Sequence, residues 1–190
     1  MRITPAFLLI VSMLAAQSGL KNVRRIDDHV YRGRQPSDEE FAMLAQMGVK
    51  TVIDLRGGLF HKPREKKLAR KTGLRYVQER FSGIFAPHDS QIAKILAAME
   101  DPFNAPVFIH CKRGADRVGV VIACYRMAHD GWTNDQALQE ASDGHISPLE
   151  ILMLRYIRHF DAARIRDRHH KHNAAATVAE IASPAGRSAD

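Results

Sequence analysis

Five residues, Lys112, Arg113, Gly114, Ala115 and Asp116, separate Cys111 from Arg117, and His110 stands directly before them. A thiol is a strong nucleophile only as the thiolate, and an unperturbed cysteine ionises near pH 8.5, so its surroundings decide its reactivity. A guanidinium offers a planar fork that matches two oxygens of a phosphoryl group. Gly114 relieves crowding at the tip, where a side chain would obstruct the turn or a ligand. These types in this order suit attack by sulfur on phosphorus, with Arg117 and the amides of Lys112, Arg113, Gly114 and Ala115 stabilising the developing charge. His110 is placed to orient the segment through backbone or side-chain bonds and to help the Cys ionise.

Such a segment must be held between rigid elements. Val107, Phe108 and Ile109 are apolar and β-prone, Pro106 precedes them, and together they predict a short buried strand. The apolar run Val118 to Met127 predicts a helix packed on that strand. A tight loop between the two turns N–H groups inward, and the helix dipole adds positive potential at the same place. The result is an anion site of phosphate size, with chemistry that calls for no metal and no cofactor.

The rest of the chain alternates in the same way. Val30-Tyr31-Arg32 predicts an edge strand, and Ser37 with Glu40 forms a capping box for a helix ending near Met47 and Gly48. Val49 to Leu55 predicts a core strand that exits at Asp54-Leu55-Arg56, where Arg56 either adds positive potential near the site or pairs with Asp54. His61 to Lys71 predicts a basic helix with a solvated charged face, and Arg75-Tyr76-Val77 the next strand. His88 to Glu100 carries Ile92, Ile95, Leu96 and Met99 at helical spacing, and Asp101-Pro102 stops it. Trp132 is expected in the core, and Thr133 with Gln136 caps a helix through Ala141. Ser147-Pro148-Leu149-Glu150 predicts a further capping box, for a helix that packs Ile151, Leu154, Ile157 and Phe160 on the sheet. The fold class is therefore α/β, a central partly parallel sheet flanked by helices, with the reactive loop at the carboxyl end of a strand.

At His110-Cys111 and Arg117 the chain resembles the cysteine-based protein tyrosine phosphatases, whose signature is His-Cys, five residues, then Arg. Val30 to Ser37 and Thr51 to Arg56 resemble the opening segments of bacterial dual-specificity-type members, some of them exported, and the resemblance covers roughly residues 26 to 160. It implies a protein tyrosine phosphatase-like fold, a phosphocysteine on Cys111, phosphate binding from Lys112 to Arg117, and phosphotyrosine in protein as substrate. Two positions depart from the family. Most relatives have Ser or Thr after the Arg, where a hydroxyl bonds the sulfur; Val118 has none, which should slow breakdown of the intermediate. Relatives also carry an acidic proton donor on an upstream loop, and the matching stretch Phe81 to Pro87 lacks a carboxylate. Asp116 and Asp89 are the candidate general acids. Asp116 is equally placed to hold the loop, and Asp89 reads more simply as an N-cap or first-turn residue.

Lys112 and Arg113 also suit highly charged substrates such as inositol phosphates or phosphoinositides. The two departures leave a phosphate-binding pseudophosphatase as an alternative, and a rhodanese-type sulfur transferase is a further one. The chain has 190 residues, 45% apolar and 26% charged, which fits one globular domain with a real core. A formal charge of +7 suits a phosphorylated protein or small phosphorylated substrate. With aromatic residues at only 7%, no stacking groove for nucleic acid is expected. Two cysteines make no disulfide framework, and Cys124 is expected in the core. Residues 1–18 read as a signal peptide: Arg2, then apolar Ile3 to Ala16, then small residues at Ala16-Gln17-Ser18. Export to the periplasm or secretion is expected, without a stable membrane anchor. The phosphatase domain is assigned to 19–165 and a basic His-rich flexible tail to 166–190.

Overall fold

The computed structural model describes residue 20 and residues 23–57, 64–147 and 149–167, so the expected signal peptide lies outside the described residues. Five strands form one sheet in the order β1-β2-β5-β3-β4. They are β1 (Val23–Arg25), β2 (Val30–Gly33), β3 (Thr51–Asp54), β4 (Arg75–Gln78) and β5 (Val107–His110). Only β1 runs antiparallel, against β2. The parallel register sets Gly33, Asp54 and His110 side by side, with Gln78 beyond Asp54. That row is the carboxyl edge of the sheet.

Strand side chains alternate between two apolar clusters, as a sheet covered on both faces requires. Val107 and Ile109 of β5, with Ile53 of β3, enter the larger cluster. Phe108 and Val52 enter the smaller one. Helices α3 (Asp89–Glu100), α4 (Asp116–Ala128), α5 (Asn134–Asp143) and α6 (Ile151–Arg158) contribute to the larger cluster. Helices α1 (Asp38–Gln46) and α2 (Arg64–Lys71) contribute to the smaller. Helix α4 is buried nearly all round, which explains its continuous apolar run. Cys124 lies there as a free thiol, fully buried.

The capping boxes at Ser37/Glu40 and Thr133/Gln136 both form. Four expectations need correction. Val30-Tyr31-Arg32 is not an edge strand, because β2 lies between β1 and β5. The true edge, Val23-Arg24-Arg25, is short and basic and shows no apolar alternation. Trp132 is half-buried rather than core, with the Arg126 guanidinium 4.7 Å from its ring centroid. Arg126 in turn is tied to Glu140 and Asp130 on the surface. The box at Ser147/Glu150 does not form: α6 starts at Ile151, and the Ser147 N–H goes to Asp116 instead. Starting there, α6 buries Met153 and Ile157 and leaves Ile151 67% exposed. Residues 162–167 are helical and Ile165 is buried, while 168–190 lie outside the described residues. Among the described residues no helix is long and apolar enough to cross a membrane.

Candidate active site

Strand β5 delivers His110 and Cys111 to the carboxyl edge, and the chain turns at once into α4. Cys111 is only 2% exposed, and the Gly114 N–H donates to its Sγ at 3.2 Å. Such a bond is stronger to a sulfur anion than to a neutral thiol, and the amino end of α4 adds its dipole at the same place. Gly114 has φ +76°, and a Cβ there would meet the Gly33 carbonyl carbon at 2.5 Å and the Arg34 nitrogen at 2.6 Å. The crowding expected at the tip therefore comes from the end of β2, and a side chain is excluded before any ligand arrives.

The same end of β2 grips the loop from outside. Buried Arg32 donates from Nη2 to the Gly114 carbonyl at 2.8 Å, and the Gln35 N–H reaches the Lys112 carbonyl at 3.4 Å. Burial lowers the pKa of Arg32, with nearby Arg24 acting in the same sense and the charges of Glu140 and Cys111 acting against it. Arg117 is half-buried and donates from Nη1 to the Leu55 carbonyl at 3.5 Å. A Cβ on Gly83 would lie 3.7 Å from the Arg117 Cζ, so the stretch after β4 runs across the guanidinium. Lys112 and Arg113 are exposed, and Ala115, half-buried, is the N-cap of α4.

Neither candidate acid is free. Asp116 accepts from Arg113 Nη2 at 2.6 Å and from the Ser147 N–H at 3.0 Å. Burial would raise its pKa, but the Ser147 amide and the Arg113 guanidinium outweigh it and hold the carboxyl below the usual range. An ionised, doubly anchored carboxylate is a brace, joining the loop to the chain ahead of α6. Asp89 opens α3, accepts from the Tyr156 hydroxyl at 2.9 Å and pairs with Arg164 at 3.0 Å. It ties α3 to α6 and to the helical residues beyond. On the stretch after β4, the Ser82 hydroxyl accepts the N–H groups of Ile84 and Phe85, residues that are 71% and 62% exposed.

A buried ionic group beneath the loop is legible only in three dimensions. Asp54 accepts from Arg56 Nε and Nη2, both at 2.8 Å, and from the Tyr76 hydroxyl at 2.6 Å. Arg56 also meets Glu65 at 2.5 Å, and the other Glu65 oxygen lies 3.1 Å from His110 Nε2. His110 Nδ1 is 3.3 Å from the Cys111 carbonyl. Burial would raise the pKa of Asp54, but Arg56, His110 and Tyr76 together lower it to about 2. Burial and the Asp54 charge push the Tyr76 hydroxyl up. Arg56 is raised despite burial, held by Asp54 and Glu65. Of its two expected roles, Arg56 takes the pairing with Asp54. Glu65 escaped notice inside a basic run; its signal was a carboxylate four residues from buried Ala69, on the apolar phase of α2. Ligand atoms of Asp54, Glu65 and His110 lie within 4.8 Å of one another, a spacing that suits a metal ion. The guanidinium of Arg56 already joins both carboxylates and takes the place of such a cation.

The chain matches the family model described as "DSP-PTPase phosphatase fused to NAD+ Kinase" over residues 10–158. It is similar to inositol diphosphatase DSP5 of Arabidopsis thaliana, 26% identical over 149 residues that span 76% of this chain and 72% of that one. It is also similar to the dual specificity protein phosphatase TpbA of Pseudomonas aeruginosa, 29% identical over 129 residues that span 65% of this chain and 54% of TpbA. The fold is shared with the catalytic core of the PP-IP phosphatase SIW14 from S. cerevisiae, at TM-score 0.68 and 24% identity, over 80% of this chain and 93% of that one. It is shared equally with TpbA in complex with phosphotyrosine, at TM-score 0.67 and 22% identity, over 78% and 90%.

Proposed function

Because the chain belongs to the DSP-PTPase family of cysteine-based phosphatases, we propose that its substrate is a phosphorylated protein, with phosphotyrosine preferred among the phosphorylated side chains. The enzyme is a cysteine-dependent hydrolase. The Cys111 sulfur attacks phosphorus, the bond from phosphorus to the leaving oxygen breaks, and that oxygen departs with the electron pair. The Gly114 amide holds the attacking sulfur, and the Arg117 guanidinium stabilises the charge on the transferring group. Water then attacks the phosphocysteine, the sulfur–phosphorus bond breaks, and inorganic phosphate leaves.

The observation that carries the substrate reading is the stretch from Phe81 to Pro87. It brings no carboxylate to the site, and it lays exposed Ile84 and Phe85 next to Gly83, which packs on Arg117. With Asp116 anchored as an anion, the leaving oxygen is best one that departs as a weak base. A phenol with pKa about 10 meets that condition far better than an aliphatic alcohol. An apolar rim suits its ring. Turnover of matched phosphotyrosyl and phosphoseryl peptides tests this. The expected result is a kcat/KM at least about tenfold higher for phosphotyrosine, abolished by Cys111→Ser. Phosphate binding without turnover of either peptide would instead support a pseudophosphatase.

The same missing carboxylate favours a second reading. A phosphoanhydride releases a phosphate, which needs no proton donor, and exposed Lys112 suits a crowded anionic ligand. The plant and yeast relatives are named for inositol diphosphates and PP-IP. An inositol diphosphate in the same assay, turned over faster than either peptide, would move the assignment there.

We further propose that the protein is exported, to the periplasm or outside, without a stable membrane anchor and without a nucleic-acid partner. The apolar run Ile3 to Ala16 and the small residues after it support export. Fractionation of cells expressing the whole chain, with amino-terminal sequencing of the mature protein, should find it outside the cytoplasm and cut near Ser18.

A further inference from the structure

We propose that Glu65 is a positioning residue for the reactive loop, acting through His110 on the Cys111 backbone and through Arg56 on the carbonyl that receives Arg117. The proposal rests on the cysteine-phosphatase reading of the site. Glu65 comes from α2, which is otherwise a basic surface helix: Lys66, Lys67, Arg70 and Lys71 are exposed, while Glu65 is 4% exposed. Burying a carboxylate is costly, and an apolar side chain of similar size would fill the same space without that cost. An acid kept there serves what it touches.

Its two oxygens touch the two halves of the site. One lies 3.1 Å from His110 Nε2, and the other ring nitrogen, Nδ1, faces the carbonyl of Cys111 at 3.3 Å. Phe108 stacks on the imidazole, 5.7 Å between centroids, so the ring is gripped at its face and at both nitrogens. The other oxygen meets Arg56, whose backbone N–H and guanidinium are locked on Asp54. Between Asp54 and Arg56 sits Leu55, whose N–H binds the His110 carbonyl and whose carbonyl accepts from Arg117. The Glu65 carboxylate lies 2.5 Å from the Arg56 guanidinium and 3.1 Å from His110 Nε2, so its charge acts on both halves at once. Removing the charge should therefore release both halves together.

Glu65→Gln keeps the shape and loses the charge; Glu65→Leu loses both oxygens. Lys66→Ala and Lys67→Ala, on the exposed face of α2, are the controls. Each is assayed on 4-nitrophenyl phosphate for kcat and KM, by competition for affinity to inorganic phosphate, and by the rate at which iodoacetamide alkylates Cys111. Thermal melts report the folded fraction. Glu65→Gln should lose roughly tenfold in kcat and in alkylation rate, and Glu65→Leu roughly a hundredfold in kcat, with phosphate affinity also reduced. The controls should stay within about twofold. Folded Glu65→Gln protein with kcat, alkylation rate and phosphate affinity all like wild type would overturn the proposal, even if Glu65→Leu fails to fold. Wild-type protein that binds phosphate but never turns over the ester would count against the phosphatase reading. Alkylation and phosphate affinity would still judge Glu65.

Discussion

Two carboxylate–guanidinium pairs flank the reactive loop, and they do different work with the same chemistry. Asp116 and Arg113 sit on its outer rim, with the Arg113 side chain 69% exposed. Asp54 and Arg56 sit beneath it, with side chains 0% and 10% exposed, and share Glu65, Tyr76 and His110. A pair with one ion in water gains little, because the solvated Arg113 gives up water to make it, although the Asp116 side chain is only 12% exposed. A pair sealed from water is indispensable once built, because losing one partner strands the other. Burial, rather than ion type, decides which pair the site depends on.

Arg56→Ala breaks the inner pair. It leaves Asp54 and Glu65 without their shared cation, and the expected cost is about 3–5 kcal/mol of stability. Chemical denaturation measures it; a loss below about 1 kcal/mol would place the inner pair with the outer one. Acid separates the pairs next. Asp54 has a folded pKa of about 2 against an ordinary 3.8, so its contribution to stability is fully present above pH 3.8 and is lost as pH falls through about 2. Melting temperature followed from pH 5 down to pH 2 should fall across that window, and Asp54→Asn should flatten the fall. Asp116→Asn tests the outer pair. It should cost about 1 kcal/mol and leave aryl and alkyl phosphate turnover within a few-fold of wild type. A loss of 10²–10³, far greater for the alkyl ester, would restore Asp116 as the proton donor. The smallest effect is at Val118, which is fully buried at the start of α4. Val118→Thr restores a hydroxyl and should raise turnover a few-fold; equal or lower turnover counts against a hydroxyl role.

Much of the scaffold was legible along the chain. Val107 to Ile109, the Gly-containing loop and the apolar run of α4 announce strand, loop and helix in order, and all three form there. The capping boxes at Ser37 and Thr133 form because their partners lie three residues away, within reach of the side chain. The box at Ser147 has the same residue pattern and fails, because a carboxylate 31 residues earlier takes its N–H. Strand β1 escaped notice because it owes its place to pairing with β2 rather than to its own pattern.

Sequence alone singled out Cys111 as the nucleophile, Arg117 as its partner and the loop between them, and it determined the helices capped at their own ends. The caps depend on residues three apart and the motif on a run of seven, where the signal lies in neighbours along the chain. Only the tertiary structure decided that Asp116 is a brace, that Gly114 answers to the backbone of β2, and that Glu65 reaches His110 beneath the sulfur. The last two follow from the parallel register that sets Gly33, His110 and Asp54 in one row, and the first from the chain ahead of α6 returning to the loop. Register brings charges from distant segments to within a few ångströms and out of water, and there the energy of each depends on what lies opposite.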